Sequence, residues 1–316
     1  MLQAKQVRLM VLDWQKLGRF VTTPLVNAAK QLNRPVVGVP HGIALYTNDM
    51  WTVSAFESNT TNRFGDNWHY FDKIVVQHER YKQAVVRAGV PAEKLAVLGS
   101  ARFCREWQEI YWKIVPIART YRGKLGEDKL KVVHMDHHFR YRINVKDVLE
   151  TARKLASLDF VDFVVKPSTG SREAMSSPKL YDVAKVDNET PSVELIRWAD
   201  VVMCTTLSIC LEILLQGKIF LYPKYFHQNE MLFDETGACF TVTSYAELEA
   251  ILRRIASERH VALYPQEKVD AFLTEVVSGG VEDWDVLGDH EEKILAWAGS
   301  DDSLPKRAQA ARLSES

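Results

Sequence analysis

The chain has 316 residues, 47% of them hydrophobic and 26% charged. This length predicts about two domains, and the composition excludes collagen-like, disulfide-scaffold and wholly disordered proteins. Lysine and arginine number 40 against 41 for aspartate and glutamate, so the chain as a whole gives no reason to expect nucleic acid as a partner.

The sequence gives only weak signals for export, for a membrane span and for metal binding. Residues 1–8 lack the charged and apolar segments of a signal peptide, and no window reaches the roughly 18 apolar residues of a membrane span. The four cysteines form neither a CxxC pair nor a zinc-type spacing with histidine. We therefore expect a cytoplasmic protein with reduced, mostly buried thiols and no metal or cofactor, which could touch the inner face of the cell membrane only from outside the bilayer.

Short β-branched runs alternate with stretches of helical period, the pattern of parallel sheets with crossover helices. In the first part, the predicted strands are 7–12, 35–39, 73–76 and 95–98, and the predicted helices are 20–32, 78–88 and 102–114. In the second part, the predicted strands are 131–134, 160–165, 201–204, 219–222 and 239–242, and the predicted helices are 145–157, 192–198, 208–216 and 245–257.

The polar segment 119–128 predicts a linker. We expect an α/β fold of two Rossmann-like domains facing a cleft, with an acceptor-side domain over 1–120 and a nucleotide-donor domain over 129–299. The first domain is reduced to about four strands. Residues 300–316 read as a disordered tail.

Ligands of parallel sheets bind at the carboxyl ends of the strands, which draws attention first to two segments of the first part. His41 follows a strand and could act as a general base, although the Pro-His-Gly motif by itself favours a loop histidine bonded to backbone. Gly99 and Ser100 lead to Arg102 at a predicted helix start, where amides and a guanidinium could hold an anion. A serine helix cap beside a surface arginine is the alternative.

Two segments of the second part offer donors to a nucleotide. Lys166 is followed by the hydroxyls of Ser168 and Thr169, which suit a phosphate or, alternatively, form a polar turn without a Walker pattern. The stretch 204–212 opens a helix with hydroxyl residues that could bind a diphosphate, and its carboxylate could accept ribose hydroxyls. An ordinary serine cap with a solvated glutamate is the alternative. The residues concerned are Thr205, Thr206, Ser208 and Glu212.

Two further segments contain residues that could have a function. The run 134–138 resembles a metal site in composition, but an extended strand end points His137 and His138 to opposite sides, so we expect one of them to line the cleft and the other to face solvent. Asp136 and His137 are the alternative bases. The predicted helix 102–114 carries aromatic residues on one face beside basic residues. This pattern fits a membrane surface, whereas three aromatics on one face favour packing on the helix's own domain.

Taken in order from Pro40 to Val242, these segments resemble GT-B enzymes related to CDP-glycerol glycerophosphotransferases and other bacterial surface-polysaccharide transferases. His41 and Gly42 resemble the family's His-Gly motif, and 99–102 is similar to its Gly-x-Pro-Arg segment. Lys166 and Pro167 resemble the first half of a Lys-Pro-His-Pro motif whose histidine is Ser168 here. The stretch 205–212 is similar to the family's Thr-Asp-Tyr-Ser-Ser motif.

The resemblance implies a transferase that moves a sugar or alditol phosphate from a nucleotide-activated donor to a cell-surface glycan or lipid-linked acceptor. His41 would be the base and Arg102 would balance charge, while the donor would bind the second domain. Two alternatives remain open: a UDP-sugar 2-epimerase, which needs no polymeric acceptor, and a non-catalytic nucleotide-sugar-binding protein.

Overall fold

The structure is a computed structural model that describes residues 7–14, 22–43, 45, 47, 69–114, 129–136, 143–167, 184–205, 208–258 and 261–299. These residues form ten strands and ten helices. The chain divides into two compact units. Unit 1 comprises Met1–His41, Asn62–Glu106 and Val277–Ser316, and unit 2 comprises Gly42–Thr61 and Trp107–Val276.

A four-stranded parallel sheet forms the centre of unit 1, with its strands in chain order. Its strands are short runs rich in valine, isoleucine and leucine, which suit a sheet buried by helices. They are β1 (Met10–Asp13), β2 (Val36–Val39), β3 (Lys73–Val76) and β4 (Leu95–Val97). Among the described residues up to 114, the helices are α1 (Thr22–Gln31), α2 (Glu79–Arg87) and α3 (Arg105–Ile114).

Unit 2 contains a six-stranded parallel sheet with helices between its strands. The strands are β5 (Leu130–Met135), β6 (Val161–Lys166), β7 (Lys185–Val186), β8 (Val201–Met203), β9 (Ile219–Pro223) and β10 (Phe240–Val242). The helices are α4 (Val145–Ala156), α5 (Ser192–Trp198), α6 (Ile209–Leu215), α7 (Leu232–Glu235), α8 (Tyr245–Ser257) and α9 (Gln266–Val277).

The strands of this sheet lie in the order β10-β9-β8-β5-β6-β7. The chain therefore builds outward from β5 to β7, returns to the other side of β5, and builds outward again from β8 to β10. This is the strand order of a Rossmann fold, and the direction reverses between β5 and β8. On one face, Val132, Met203 and Leu221 of the sheet pack with Leu155 of α4 and Leu252 of α8 in one buried cluster.

The last helix, α10 (Val286–Trp297), belongs to unit 1. The chain is anchored there by the backbone N–H of Ser100, which donates to the carbonyl of Val277 at 2.7 Å. Gly99 has a φ of +69°, and a Cβ on it would lie 2.4 Å from the same carbonyl oxygen. Only glycine tolerates both conditions, so Gly99 allows this close approach of two chain segments.

The predicted alternation of strands and helices is present, and most observed ends differ from the predicted ones by one to three residues. The short strand β7 and helices α7, α9 and α10 were not among the predicted elements. The sequence predicts domains over 1–120 and 129–299, whereas Gly42–Thr61 and the chain from Trp107 group with unit 2, and 277–299 groups with unit 1. The linker 119–128 and the tail 300–316 lie outside the described residues, so both stay predictions.

Of the apolar face of 102–114 that was expected to pack on its own domain, Phe103 is fully buried, but Trp107, Ile110 and Ile114 are not. Helix α3 begins at Arg105 rather than at Arg102, and its buried side chain is that of Gln108. The side chains of Trp107, Ile110 and Ile114 are exposed, Ile114 by 62%. Among the described residues, no helix is long and apolar enough to cross a bilayer.

Candidate functional site

The candidate residues of unit 2 meet at the carboxyl edge of its sheet, where the strand order reverses. Asp136 directly follows β5, and its N–H donates to the carbonyl of Lys166 at the end of β6 at 2.9 Å. Thr205 follows β8, which pairs with β5 through His134 and Met203. Asp136 and Thr205 are both buried. A reversal point is where open α/β sheets bind ligands, so these residues stand where a ligand is expected.

The beginning of α6 lacks the ordinary capping pattern among the described residues. Ser208 has helical backbone angles, and among the described residues its side chain caps no amide of α6. Glu212 is only 2% exposed. The alternative of a serine cap with a solvated glutamate is therefore not what the structure contains. A Cβ on Gly42 would lie 3.4 Å from the Ser208 hydroxyl oxygen, so the Gly42 backbone passes close to that hydroxyl.

The segment that begins at Gly42 is held against the same unit by backbone hydrogen bonds. The N–H of Thr47 donates to the carbonyl of Glu230 at 3.0 Å, and the N–H of Leu232 donates to the carbonyl of Leu45 at 2.7 Å. Both partners follow β9, so these bonds fix Leu45 and Thr47 beside the chain that leaves the carboxyl end of β9.

Lys166 is already partly engaged. Its ammonium donates to the carbonyl of Asn188 at 3.2 Å, and an ammonium has three N–H donors. Burial lowers the pKa of Lys166, and the nearby Asp187 carboxylate opposes that shift. An incoming phosphate would favour the charged form and would restore the lost stabilisation of the ammonium.

His134 lies below this edge and is uncharged at neutral pH. Burial lowers its pKa to about 4, against a weaker opposing effect of a backbone hydrogen bond with Met203. Its Nε2 is 3.9 Å from Oδ1 of Asp136, too far for a hydrogen bond. The two residues are therefore neighbours in the site and not an ion pair.

In unit 1, His41 has a carboxylate partner that the sequence analysis did not identify. Its Nδ1 lies 2.7 Å from Oδ1 of Asp13. Asp13 ends β1 in register with Val39 of β2, so the adjacent strand ends bring the two side chains together. The pairing could have been predicted from the rule that parallel neighbouring strands end at one edge. The alternative of a histidine bonded only to backbone is not what the structure contains.

Arg102 contacts His41 through the backbone. Its Nη1 donates to the His41 carbonyl at 3.1 Å, and its guanidinium lies 5.0 Å from the centre of the Phe103 ring. The predicted anion site at 99–102 is not supported, because no helix begins there and the Ser100 amide is bonded to Val277. Gly99 and Ser100 have a structural role at this point.

Four of the predicted residues, His137, Ser168, Thr169 and Thr206, lie outside the described residues. Within the described residues, no group of three or more His, Cys, Asp or Glu side chains is placed to hold a metal ion.

Solved structures with the same fold are numerous, although no protein-family model and no curated protein matches the sequence. The S. aureus MnaA co-structure with UDP aligns over 96% of this chain and 80% of its own, with a TM-score of 0.60 and 13% identity. The fold is of the GT-B type. UDP-N-acetylglucosamine 2-epimerase from Rickettsia bellii aligns over 94% of this chain and 76% of its own, with a TM-score of 0.58 and 12% identity.

A transferase has the fold as well. The glycotransferase of kitacinnamycin aligns over 94% of this chain and 77% of its own, with a TM-score of 0.51 and 13% identity. At these identities the likeness establishes the GT-B fold with its Rossmann-type domains and leaves the chemistry to the residues of this chain.

Proposed function

We propose that this chain is an enzyme that binds a nucleotide-activated sugar, with the nucleotide held by unit 2. The observation that carries the proposal is the reversal of strand order between β5 and β8, with Asp136, Thr205 and Ser208 at that edge. The UDP bound to S. aureus MnaA supports a UDP-linked ligand. A buried carboxylate, Glu212, and a partly engaged ammonium, Lys166, provide the acceptor and donor groups that ribose and phosphate require.

Two reactions are compatible with this binding. Epimerisation at C2 of a UDP-linked sugar is supported by the likeness to the R. bellii 2-epimerase and needs no second substrate. Transfer of a sugar or alditol phosphate to a glycan or lipid-linked acceptor is supported by the likeness to the kitacinnamycin glycotransferase and by the resemblance of the motifs. Transfer of an alditol phosphate, the reaction of the CDP-glycerol family, is less well supported than transfer of a sugar, because Ser168 replaces the histidine of the Lys-Pro-His-Pro motif.

The His41–Asp13 pair would supply the base in either reaction. A carboxylate that accepts the Nδ1 proton leaves Nε2 as the proton acceptor, the arrangement used by general-base histidines. In transfer, Nε2 would accept the proton of the acceptor hydroxyl. In epimerisation, a base must remove a proton from the sugar carbon.

The test has two stages. A thermal-shift screen of CMP, CDP, UDP, GDP and TDP should show one nucleotide that raises the melting temperature, because a ligand of the native state stabilises it. UDP-N-acetylglucosamine is then incubated alone with the protein, and the products are separated. A new epimer without an acceptor indicates 2-epimerisation. If the UDP-sugar stays unchanged when incubated alone and is consumed only after a glycan acceptor is added, the reaction is transfer. If no nucleotide raises the melting temperature, the proposal is refuted.

A further inference from the structure

A buried imidazole at the carboxyl edge of unit 2 has a hydrogen-bond donor that the fold does not use. His227 is 6% exposed and follows β9 after a short 3₁₀ turn, Lys224–Phe226. Its Nδ1 accepts the N–H of Asn229 at 2.9 Å. A neutral imidazole that accepts at Nδ1 carries its proton on Nε2, so the Nε2–H is a donor.

That donor has no hydrogen-bond partner among the described residues. Buried polar groups are almost always paired, and an unpaired one in a native protein calls for an explanation, of which a ligand contact is one. Burial lowers the pKa of His227 to about 4, and the nearby Lys224 ammonium adds to that effect, so the ring stays neutral at pH 7. The Nε2–H therefore remains a donor without a charge to be desolvated.

The position of His227 follows from its neighbours. Strand β8 lies between β9 and β5 in the sheet. The chain that leaves β9 nevertheless reaches the side of β5: Phe226 meets the His134 ring edge-on at 5.7 Å, and its carbonyl accepts the N–H of Asn144 at 2.7 Å. His227 itself forms an antiparallel bridge with Ile143. The loop therefore spans the end of β8, the strand that leads to Thr205 and Ser208.

We propose that His227 is a nucleotide-binding residue whose Nε2–H donates a hydrogen bond to an oxygen of the bound nucleotide. The inference rests on the proposed function and adds to it a specificity contact on the β9 side of the site. A neutral N–H donor is suited to a base carbonyl or a sugar hydroxyl, and it could equally reach a phosphate oxygen.

Two substitutions of His227 distinguish the role of Nδ1 from that of Nε2. His227→Asn places an amide oxygen near the position of Nδ1 and can keep the bond from the Asn229 N–H, but it removes the Nε2 donor. His227→Gln places an amide N–H₂ near Nε2 and so retains a donor. Tyr222→Phe is the matched control, because it removes the hydroxyl that donates to the Asn229 carbonyl at 3.3 Å but keeps the ring, which lies 5.4 Å from the His227 ring between centroids.

Calorimetric titration with UDP should give a dissociation constant about five- to tenfold higher for His227→Asn, the usual effect of one lost neutral hydrogen bond, and values near wild type for His227→Gln and Tyr222→Phe. A parallel loss with uridine assigns the contact to the nucleoside, and a loss seen only with UDP assigns it to the phosphates. Wild-type affinity in His227→Asn would overturn this inference alone. Absence of UDP binding by the wild type would overturn it together with the UDP form of the proposed function.

Discussion

The hydrogen bond between His41 and Asp13 decides which ring nitrogen of His41 can act on a substrate. The carboxylate accepts the Nδ1 proton, which leaves the Nε2 lone pair available. In the proposed reactions Asp13 would not need to touch the substrate, and it would act as a positioning residue. The imidazole is exposed, which gives a substrate access to Nε2.

Replacing His41 and Asp13 one at a time should distinguish the base from the positioning residue. His41→Ala should lower kcat by about a hundredfold or more, the usual effect of losing a general base, with little change in nucleotide affinity. Asp13→Asn should lower kcat less and leave KM nearly unchanged. His69→Ala, at another exposed histidine of unit 1, is the control and should retain full turnover. Near-normal turnover of His41→Ala would make His41 structural and direct attention to Asp136 and His137.

The buried histidines make stability depend on pH. Burial lowers the pKa of both His134 and His227 to about 4 from an ordinary value of 6.5. Between these values the unfolded chain binds more protons than the native protein, so the free energy of unfolding falls as pH is lowered. From pH 7 to pH 5 we expect a loss of about 1–2 kcal/mol per histidine in urea denaturation. His227→Asn should lose correspondingly less, and an equal loss would show that His227 does not contribute.

At the scale of elements, buried strands were the most predictable features. The runs 130–135 and 161–166 are rich in valine and mostly apolar, a pattern that favours strands buried in a parallel sheet. Strand β7 has two residues at the sheet edge and leaves no periodic signal. Asp136, Thr205 and Ser208 could be predicted because they follow the carboxyl ends of predicted strands. His227 could not be predicted, because its loop crosses from β9 to another strand and this path depends on the tertiary structure.

The junction at Gly99 gives a prediction about stability alone. Gly99→Ala should lower the free energy of unfolding by about 1–3 kcal/mol, the usual cost of a forced positive φ, and more if the contact with the Val277 carbonyl cannot relax. Nucleotide affinity should not change. Gly89→Ala is a control with positive φ but no atom within 4 Å of the added Cβ, so it should cost less in thermal or urea unfolding. Equal losses in both variants would contradict the close-approach argument.

The exposed face of α3 (Trp107, Ile110 and Ile114) keeps the membrane interpretation open to a direct test. Arg105 and Lys113 are balanced by Glu106 and Glu109 within the helix, so attraction to anionic lipid would depend on the basic residues at 119–124. We expect co-sedimentation with phosphatidylserine vesicles that weakens with salt. Ile110→Glu should abolish it, whereas Val281→Glu, at an exposed apolar residue elsewhere, should not. No co-sedimentation of the wild type at low salt would exclude this role.

At the scale of the whole molecule, the sequence predicted an α/β protein with two Rossmann-type domains, and that is the fold. It did not predict that 277–299 returns to unit 1, because the contacts that hold this segment, such as the hydrogen bond from Ser100 to Val277 and the approach of Val286 to Gly99, join residues far apart in the chain and leave no periodic signal. The nature of the reaction was not predictable either, since one fold supports both epimerases and transferases. The central claim is that unit 2 binds the nucleotide, because most of the candidate nucleotide contacts lie there.

Calorimetry on Ser208→Ala tests that claim most directly, with the nucleotide that stabilises the wild type most in the thermal-shift screen. Ser208 is partly exposed and caps no described amide of α6, so its loss should leave the fold intact. We predict a dissociation constant about five- to tenfold higher than that of the wild type. Ser157→Ala, at an exposed serine after α4, should bind as the wild type does. Equal affinity of Ser208→Ala and wild type would contradict a nucleotide site at the β5–β8 edge.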